Sequence, residues 1–281
     1  IGKGFVGTAV AHGFSNQTGF NADIKIYDID PKKTSHTLGE TVNNSDFIFL
    51  SVPTPSYKDG SIDLSILENA IQSIDKVSKN KDNVILIRST VVPGTTENFQ
   101  KKFPNLSFVF NPEFVTERSA AFDFINQTRV ILGGTKKYTS IVSKLYKDRF
   151  GEYLPVLETD FQTAELIKYM NNLFFATKVS FLNEMKVLAD NIGANWNDAI
   201  EGFILDGRIG HSHLSVPGPD GKFGFGGSCF PKDIQALIDF ADKNGIEMNV
   251  LKGAWKTNLN VRPEKDWEKL KGRAVSVDEE E

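Results

Sequence analysis

The chain has 281 residues, of which 40% are hydrophobic and 24% are charged, and its formal net charge is −4. These values fit one large or two medium globular domains, and they exclude the strongly basic surface that binds nucleic acid or an anionic membrane. No stretch approaches the ~20 apolar residues of a membrane span, and four histidines with one cysteine offer no evident ligand set for a metal.

The chain opens with a Gly-x-Gly-x-x-Gly pattern, followed by a predicted helix over Phe5–Gly19. Such a turn binds the pyrophosphate of a dinucleotide at a helix N-terminus. Gly2 is expected to make the turn, Gly4 to admit the pyrophosphate and Gly7 to let helix and strand pack closely. Because the strand that should precede this turn has no room, we interpret the sequence as a fragment or a trimmed chain. The cofactor-binding residues predicted here are Gly2, Gly4, Phe5, Val6 and Gly7.

A short strand is predicted over Ile24–Tyr27, and it ends at Asp28. An acidic residue at this point accepts hydrogen bonds from the adenosine ribose hydroxyls. The Asp28 carboxylate would also repel a 2′-phosphate, which favours NAD over NADP, while the neighbouring Lys32 and Lys33 weaken that preference. Asp28 and Lys33 are therefore added to the predicted cofactor-binding residues.

Short apolar strands then alternate with helical patterns up to residue 158. The predicted strands are Phe47–Val52, Val84–Ser89, Leu106–Phe110, Arg129–Leu132 and Tyr153–Leu157. The predicted helices are Leu64–Lys79, Thr95–Phe103 and Tyr138–Phe150. This alternation predicts an α/β fold, with a Rossmann-like, doubly wound parallel sheet forming an NAD-binding domain over residues 1–158.

Three polar residues lie in the loops that follow successive strands: Thr54, Thr90 and Glu113. Ligands of such sheets bind at the carboxyl ends of the strands. Thr90 and Glu113 have an alternative role as helix caps, which is common for threonine and for acidic residues near a helix N-terminus. Their joint occurrence at strand ends favours a functional role.

One long helix is predicted over Phe161–Ile192, without proline or glycine. Its apolar residues wrap nearly all round, so it must be buried on most faces, and a dimer core is the expected burial partner. Lys168 and Asn172 stand four residues apart on this helix and therefore share a face. The alternative for Lys168 is a surface lysine whose stem lies along the protein.

Further helices are predicted over Trp196–Leu205 and Asp233–Asn244. Residues 159–260 are accordingly predicted to form an all-helical dimerisation domain with one long central helix. Residues 261–281 are predicted to be a polar tail, and its acidic end, 278–281, a solvated segment.

Cys229 is the one cysteine of the chain, so it cannot form an internal disulfide, and a reducing, cytoplasmic location is predicted. It lies in the run Gly224–Asp233, whose glycines would let backbone and ligand approach closely. Lys232 and a helix starting near Asp233 would favour the thiolate. The alternative is a buried structural cysteine, but the flanking glycines and charges favour a nucleophile.

Five segments together resemble the UDP-glucose/GDP-mannose dehydrogenase family: VPTP, STVVPGTT, NPEF, ELIKYMNN and GFGGSCFPKD. The match runs in order from Gly2 to about Asn260. Phe230 after the cysteine and the loop Val216–Gly221 are similar to members that act on UDP-glucose, whereas GDP-mannose members tend to have leucine after the cysteine.

The resemblance implies a four-electron oxidation of UDP-glucose to UDP-glucuronate by two NAD⁺ in turn, through a thiohemiacetal and a thioester on Cys229. Lys168 and Glu113 are both candidates for the base that takes the hydroxyl proton. Lys168 with Asn172 would stabilise the oxyanions. The catalytic residues implied are Cys229, Lys168, Asn172, Asp233, Glu113 and Thr90, the last three around the hydrolytic water.

The resemblance also implies NAD contact by Thr54 and Thr90, and an arginine, Arg208, that reaches the substrate of a neighbouring subunit in a homodimer. The substrate-binding residues implied are Phe114, Glu117, Lys168, Asn172, Arg208, Phe225 and Gly226. Family members continue into a third domain that binds UDP, and this chain ends some 20 residues after the last matching segment. We therefore expect either a separate protein that supplies that domain, a natural short form or a cut chain.

Two other functions stay open at this point. A two-electron hydroxyacid dehydrogenase could share the sheet, the long helix and a Lys–Asn pair without needing Cys229. A catalytically silent NAD-binding partner subunit could share the fold, although it has no chemical reason to keep the whole set of reactive residues.

Overall fold

The computed structural model describes residues 1–79 and 82–277. It divides into two compact units, one of residues 1–54 with 64–168, the other of residues 55–63 with the chain from Tyr169 onward. The predicted boundary near residue 158 thus differs from the division, which falls within the long helix. The acidic residues 278–281 lie outside the described residues, and among the described ones no helix is long and apolar enough to cross a membrane.

The first unit contains five strands and six helices among its described residues, and the long helix begins in it. The strands are β1 Phe47–Leu50, β2 Val84–Ile87, β3 Phe108–Phe110, β4 Val130–Gly133 and β5 Val156–Thr159. The helices are α1 Phe5–Gly13, α2 Leu38–Asn43, α3 Ser65–Val77, α4 Thr95–Lys102, α5 Ala120–Ile125 and α6 Lys136–Phe150. The predicted alternation of strands and helices is confirmed, with bounds that shift by a few residues.

The sheet has the order β1-β2-β3-β4-β5, and helices cover both of its faces. Alternate residues of β2 point to opposite faces, as strand geometry requires. Ile85 and Ile87 join a core with α3 and α4, while Val84 and Leu86 join a second core with α1, α5 and α6. All four are buried, which is the pattern of a central strand in a doubly wound sheet.

The sequence predicts a parallel sheet, but one pair of neighbouring strands in the structure is antiparallel. β4 runs antiparallel to β3, with Phe110 paired to Gly133, whereas the other neighbours are parallel. A parallel neighbour needs a crossover connection, usually a full helix, and only the six-residue α5 separates these two strands.

The strand predicted over Ile24–Tyr27 is not formed. The Gly2 N–H donates to the Tyr27 oxygen at 2.9 Å, but the Ile26 oxygen accepts from Ser35 and His36 instead. One bond toward the start of the chain does not make a ladder, so this segment is irregular. The helix predicted to reach Gly19 ends at Gly13, and a short 3₁₀ turn follows.

The second unit is helical among its described residues. Its helices are most of α7 Phe161–Ile192, then α8 Trp196–Ile204, α9 Phe230–Lys243 and α10 Asn249–Val261. α7 has the predicted bounds. α9 begins three residues earlier than predicted, and α10 was not predicted.

Residues 261–277, expected as a polar tail, are packed into the second unit. Arg262, Trp267 and Ala274 are each at most 3% exposed. The Ser56 N–H donates to the Ala274 oxygen at 3.0 Å, and the Ser276 N–H donates to the Ser56 oxygen at 2.7 Å. The polar composition of this stretch predicts an exposed tail and does not reveal these three buried residues.

Candidate active site

The glycine turn before α1 has a separate physical reason for each glycine. Gly2 has φ +83°, and a Cβ on it would lie 2.6 Å from the Ser51 oxygen. A Cβ on Gly7 would lie 2.0 Å from the Gly2 oxygen, whereas a Cβ on Gly4 would meet no atom of the described residues within 4 Å. Gly2 and Gly7 are therefore required by the turn itself. Gly4 leaves open space at the N-terminus of α1, where a phosphate is electrostatically favoured.

Asp28 lies against this turn. Its Oδ2 accepts from the Lys3 N–H at 2.6 Å, and its Oδ1 accepts from the Asp30 N–H at 2.8 Å. The carboxylate is thus fixed beside the glycines, as a ribose-binding acid requires. The Lys33 ammonium lies 3.9 Å from Asp30 instead. The open space and the placed carboxylate fit a dinucleotide, although contact of these residues with NAD stays a prediction.

The loops after β1 and β2 are joined by a buried hydrogen bond. The Thr54 hydroxyl donates to the Thr90 oxygen at 2.7 Å, and the Ser89 hydroxyl donates to the Val52 oxygen at 2.6 Å. Thr54 and Thr90 are both buried. The structure therefore brings together two of the predicted cofactor contacts, at the carboxyl ends of neighbouring strands.

The loop after β3 forms a buried ion pair with the long helix. The Lys168 Nζ donates to the Glu113 backbone oxygen at 2.7 Å and lies 3.2 Å from its Oε1. The two side chains are 4% and 8% exposed. The Glu113 Oε2 is also buried, and it has no hydrogen-bond partner among the described residues. This arrangement holds one carboxylate oxygen available to accept a proton or a hydrogen bond from a hydroxyl or a water, and Lys168 is a buried ion-pair partner, not the surface lysine that was the alternative.

A further buried acid, Glu165, escaped the sequence analysis. Its Oε2 accepts from the Gly94 N–H at 2.6 Å and its Oε1 from the Thr96 N–H at 2.8 Å, at the N-terminus of α4. Glu165 thus caps the N-terminus of α4, which follows the loop containing Thr90. It lies one helical turn before Lys168 on the long helix. The signal was present, since a glutamate three residues before Lys168 lies on the same side of the helix.

Burial raises the pKa of Glu165 from 4.5 to about 7, even though the Thr96 and Gly94 N–H groups act in the opposite direction. The native state therefore binds more protons than the unfolded chain between pH 4.5 and about 7, and the stability from protonated Glu165 is complete below this window and lost as the pH rises through it.

We expect the Glu165→Gln variant to lack this pH dependence, because an amide does not titrate. The free energy of unfolding of the wild type, taken relative to the variant, should fall by about 3 kcal/mol across the window. Urea unfolding of both proteins at pH values inside and outside the window measures the difference. Parallel curves would contradict the assignment of this pH dependence to Glu165.

In the second unit, the Asp233 carboxylate accepts hydrogen bonds from two neighbouring side chains. Its Oδ2 accepts from the Asn172 Nδ2 at 2.6 Å and its Oδ1 from the Lys232 Nζ at 2.5 Å. Asp233 is 1% exposed and lies in the first turn of α9, so it does not cap this helix. Cys229 occupies the cap position, immediately before α9, with Pro231 in the first turn. A thiol placed at a helix N-terminus is favoured as the thiolate.

The other residues predicted to bind substrate include both exposed and buried side chains. Glu117 is exposed, and Arg208 is exposed with its guanidinium on Asp206. The Phe114 ring lies under the Arg129 guanidinium, 4.3 Å from its centre. Phe225 is 5% exposed and its ring packs against Phe230 and Trp255. Contact of these residues, and of Gly226, with a substrate stays a prediction.

A dinucleotide turn on a doubly wound sheet, followed by a helical unit with reactive polar groups, defines a two-domain dehydrogenase architecture. Residues 32–149 match the NAD binding domain of the UDP-glucose/GDP-mannose dehydrogenase family, and residues 162–260 match its central domain. The chain belongs to this family.

The chain is also similar to individual proteins of known sequence or structure. It is 39% identical over 263 residues to a UDP-glucose 6-dehydrogenase of Rickettsia prowazekii, covering 88% of this chain and 58% of that protein. A UDP-glucose dehydrogenase structure from Pyrobaculum islandicum has a TM-score of 0.79 at 29% identity, covering 92% of this chain and 67% of that one. The chain thus spans little more than half the length of the Rickettsia relative.

A 3-hydroxyisobutyrate dehydrogenase from Mycobacterium tuberculosis has a TM-score of 0.72 at 15% identity, covering 94% of this chain and 92% of that one. At this identity the likeness concerns the fold alone. It shows that the same architecture is used by a hydroxyacid dehydrogenase, so the fold does not separate the two chemistries.

Proposed function

We propose that the chain oxidises UDP-glucose to UDP-glucuronate with NAD⁺, through a covalent intermediate on Cys229. The observation that carries the proposal is the buried Lys168–Glu113 pair, whose Glu113 Oε2 has no hydrogen-bond partner within the described part of the chain. Buried ion pairs add little net stability, and a buried acceptor without a partner costs free energy. A proton-accepting role gives both a reason.

The first oxidation needs a base and a cation. Bound NAD⁺ supplies the hydride acceptor. The Glu113 Oε2 takes the hydroxyl proton, directly or through one water, and the Lys168 ammonium stabilises the developing alkoxide. Because both groups are buried and already paired with each other, little reorganisation accompanies the reaction.

The second oxidation needs a nucleophile. The Cys229 thiolate adds to the aldehyde carbon and forms a C–S bond, while the carbonyl oxygen becomes an oxyanion stabilised by Lys168 and Asn172. Loss of a second hydride, for which a second NAD⁺ would be the acceptor, leaves a thioester. Water then breaks the C–S bond, giving the carboxylate and returning the thiol. Asp233, held by Asn172 and Lys232, and Thr90 are proposed to orient that water.

The test is the yield of NADH per UDP-glucose, measured with excess NAD⁺ and limiting sugar nucleotide. We expect two NADH per sugar. One per sugar would instead indicate a two-electron oxidation, and none from a folded chain that binds NAD would indicate a silent NAD-binding subunit. The reaction needs a reduced thiol, so we place the protein in the cytoplasm.

We further propose a homodimer that buries the exposed apolar face of α7. Large apolar side chains along this helix are exposed to an unusual degree for a monomer. They include Met170, Phe174, Phe181, Leu188 and Ile192, which are 47–69% exposed.

Replacing Met170 and Phe174 together by glutamate is expected to give a monomer, because two charges would be desolvated in the interface. Sedimentation velocity measures the change. The matched control is Val250→Glu, at a 71% exposed position of α10, which should leave the dimer intact. A wild type that sediments as a monomer would contradict the proposal.

A further inference from the structure

The loop that leads to Cys229 rests on two side chains of α10 and the residue after it, Asn258 and Arg262. Both are buried, at 0% and 2% exposure. The Asn258 Oδ1 accepts from the Phe225 N–H at 2.7 Å, and its Nδ2 donates to the Phe225 oxygen at 3.0 Å. One amide therefore satisfies both backbone groups of a loop residue, in the manner of a neighbouring strand. We call Asn258 and Arg262 the loop seat.

Arg262 fixes the earlier part of the loop. Its Nη2 donates to the Asp220 Oδ2 at 2.7 Å, and its Nη1 donates to the Phe223 oxygen at 3.3 Å. Its Nε and Nη2 donate to the two carboxylate oxygens of Asp266 at 2.9 and 2.7 Å. The guanidinium also holds the pKa of Asp266 at about 2, so this bidentate pair stays charged at neutral pH.

The glycines of the loop follow from this contact. A Cβ on Gly224 would lie 2.4 Å from the Asn258 Oδ1, and a Cβ on Gly226 would lie 2.6 Å from the Arg262 Nη2. Among the residues that the structure describes, none has an atom within 4 Å of a Cβ on Gly227. Two of the three glycines therefore let the loop lie on the seat, and Gly227 alone leaves open space, unlike the sequence expectation that all three admit a ligand.

A third contact comes from α7, where the Asn183 Oδ1 accepts from the Gly224 N–H at 2.9 Å. The loop is thus held at residues 220, 223, 224 and 225. Cys229 follows four residues after Phe225, and α9 starts directly behind it. Only three residues lie between Phe225 and Cys229, so a shift of the held residues is expected to move the thiol.

We infer that Asn258 and Arg262 are positioning residues for the Cys229 thiol. They fix the Gly-rich loop, and the loop fixes the sulfur at the N-terminus of α9. The inference rests on the proposed nucleophilic role of Cys229, and the seat itself is not required to touch the substrate.

The test uses Gly226→Ala, Arg262→Met and Asn258→Leu in the full chain, with iodoacetamide as the probe. Cys229 is the one thiol, so the alkylation rate reports on it alone. Release of the loop is expected to speed alkylation about tenfold by local opening. It should lower kcat about 100-fold, as a displacement of about 1 Å at a reacting atom does, with the KM for NAD⁺ unchanged.

Two controls separate positioning from loss of stability. Gly253→Ala adds the same methyl group in α10, where a Cβ meets nothing within 4 Å. Leu251→Ala removes a buried side chain from the same helix and lowers Tm by making a cavity. Both should alkylate at the wild-type rate well below their Tm.

Alkylation at the wild-type rate in Gly226→Ala, Arg262→Met and Asn258→Leu alike would overturn the inference. Equal acceleration of alkylation in Leu251→Ala, at a matched loss of Tm, would overturn it as well. The alkylation rate needs no turnover. If the wild type produced no NADH, the proposed function would fail while the loop seat was still decided.

Discussion

Replacing Cys229 by serine is expected to lower the rate of uronate formation by at least about 1,000-fold, because a serine hydroxyl without a dedicated base is a far weaker nucleophile than a thiolate. The yield should fall from two NADH per UDP-glucose to at most one, since the first hydride transfer does not use the sulfur. Aldehyde trapping by hydroxylamine would detect the product that then accumulates. The geometry supports this use of Cys229 through its place at the start of α9.

The matched control is Ser228→Ala, one residue earlier, where the hydroxyl lies 3.9 Å from the sulfur. No step of the mechanism uses that hydroxyl, so the yield of two should persist. A Cys229→Ser variant that still forms two NADH per sugar would refute the thioester. A wild type that forms one NADH, unchanged by the substitution, would support the two-electron alternative.

Local patterns carried much of the fold. The long helix was predictable from its own sequence, because 32 residues without proline or glycine strongly favour a continuous helix. Its predicted bounds agree with the structure. The strands of the sheet were recognisable for a similar reason, since buried β-strands read as short apolar runs. The direction of β4 was not recognisable, because strand direction depends on pairing between distant segments.

The candidate site shows the same division between local and distant information. Glu113, Lys168 and Asp233 were predicted from motifs, and the structure gives each a buried partner. Arg262 was assigned to a polar tail, although it is among the largest fully buried side chains. Its partners Asp220 and Phe223 lie about 40 residues away in sequence, so no short-range pattern could reveal the contact.

The two kinds of buried charge in this chain also differ in what they can do. Arg262 donates four hydrogen bonds, to two carboxylates and a carbonyl, which suits a support with a permanent charge. Glu113 has one oxygen that no described residue hydrogen-bonds, which suits a group that must accept a proton. The contrast concerns Arg262 and Glu113 alone, since Asp233 is a candidate catalytic residue with a donor on each of its oxygens.

Lys168→Met is expected to lower both stability and activity. It leaves the Glu113 carboxylate buried without its cation, and breaking a buried pair on one side costs about 3–5 kcal/mol. Loss of the cation that stabilises the alkoxide and oxyanion should lower kcat by about 100- to 10,000-fold. Urea unfolding and NADH formation measure the two effects.

A matched control lies on the same helix. Lys186 pairs with Asp190, whose side chain is 54% exposed, and Lys186→Met should cost less than about 1 kcal/mol, since exposed pairs contribute little. Equal losses for the two lysines would contradict a special role for burial.

The double variant Lys168→Met/Glu113→Gln separates stability from chemistry. It removes both charges of the buried pair, so most of the lost free energy of unfolding should return, as replacing a buried ion pair by neutral groups is often close to neutral. Activity should not return, because the base and the cation are both gone. If the double variant recovered turnover along with stability, the pair would be a structural element and the proton would have to leave by another group. If it recovered neither, the coupling between Lys168 and Glu113 seen at 3.2 Å would not be what stabilises this loop.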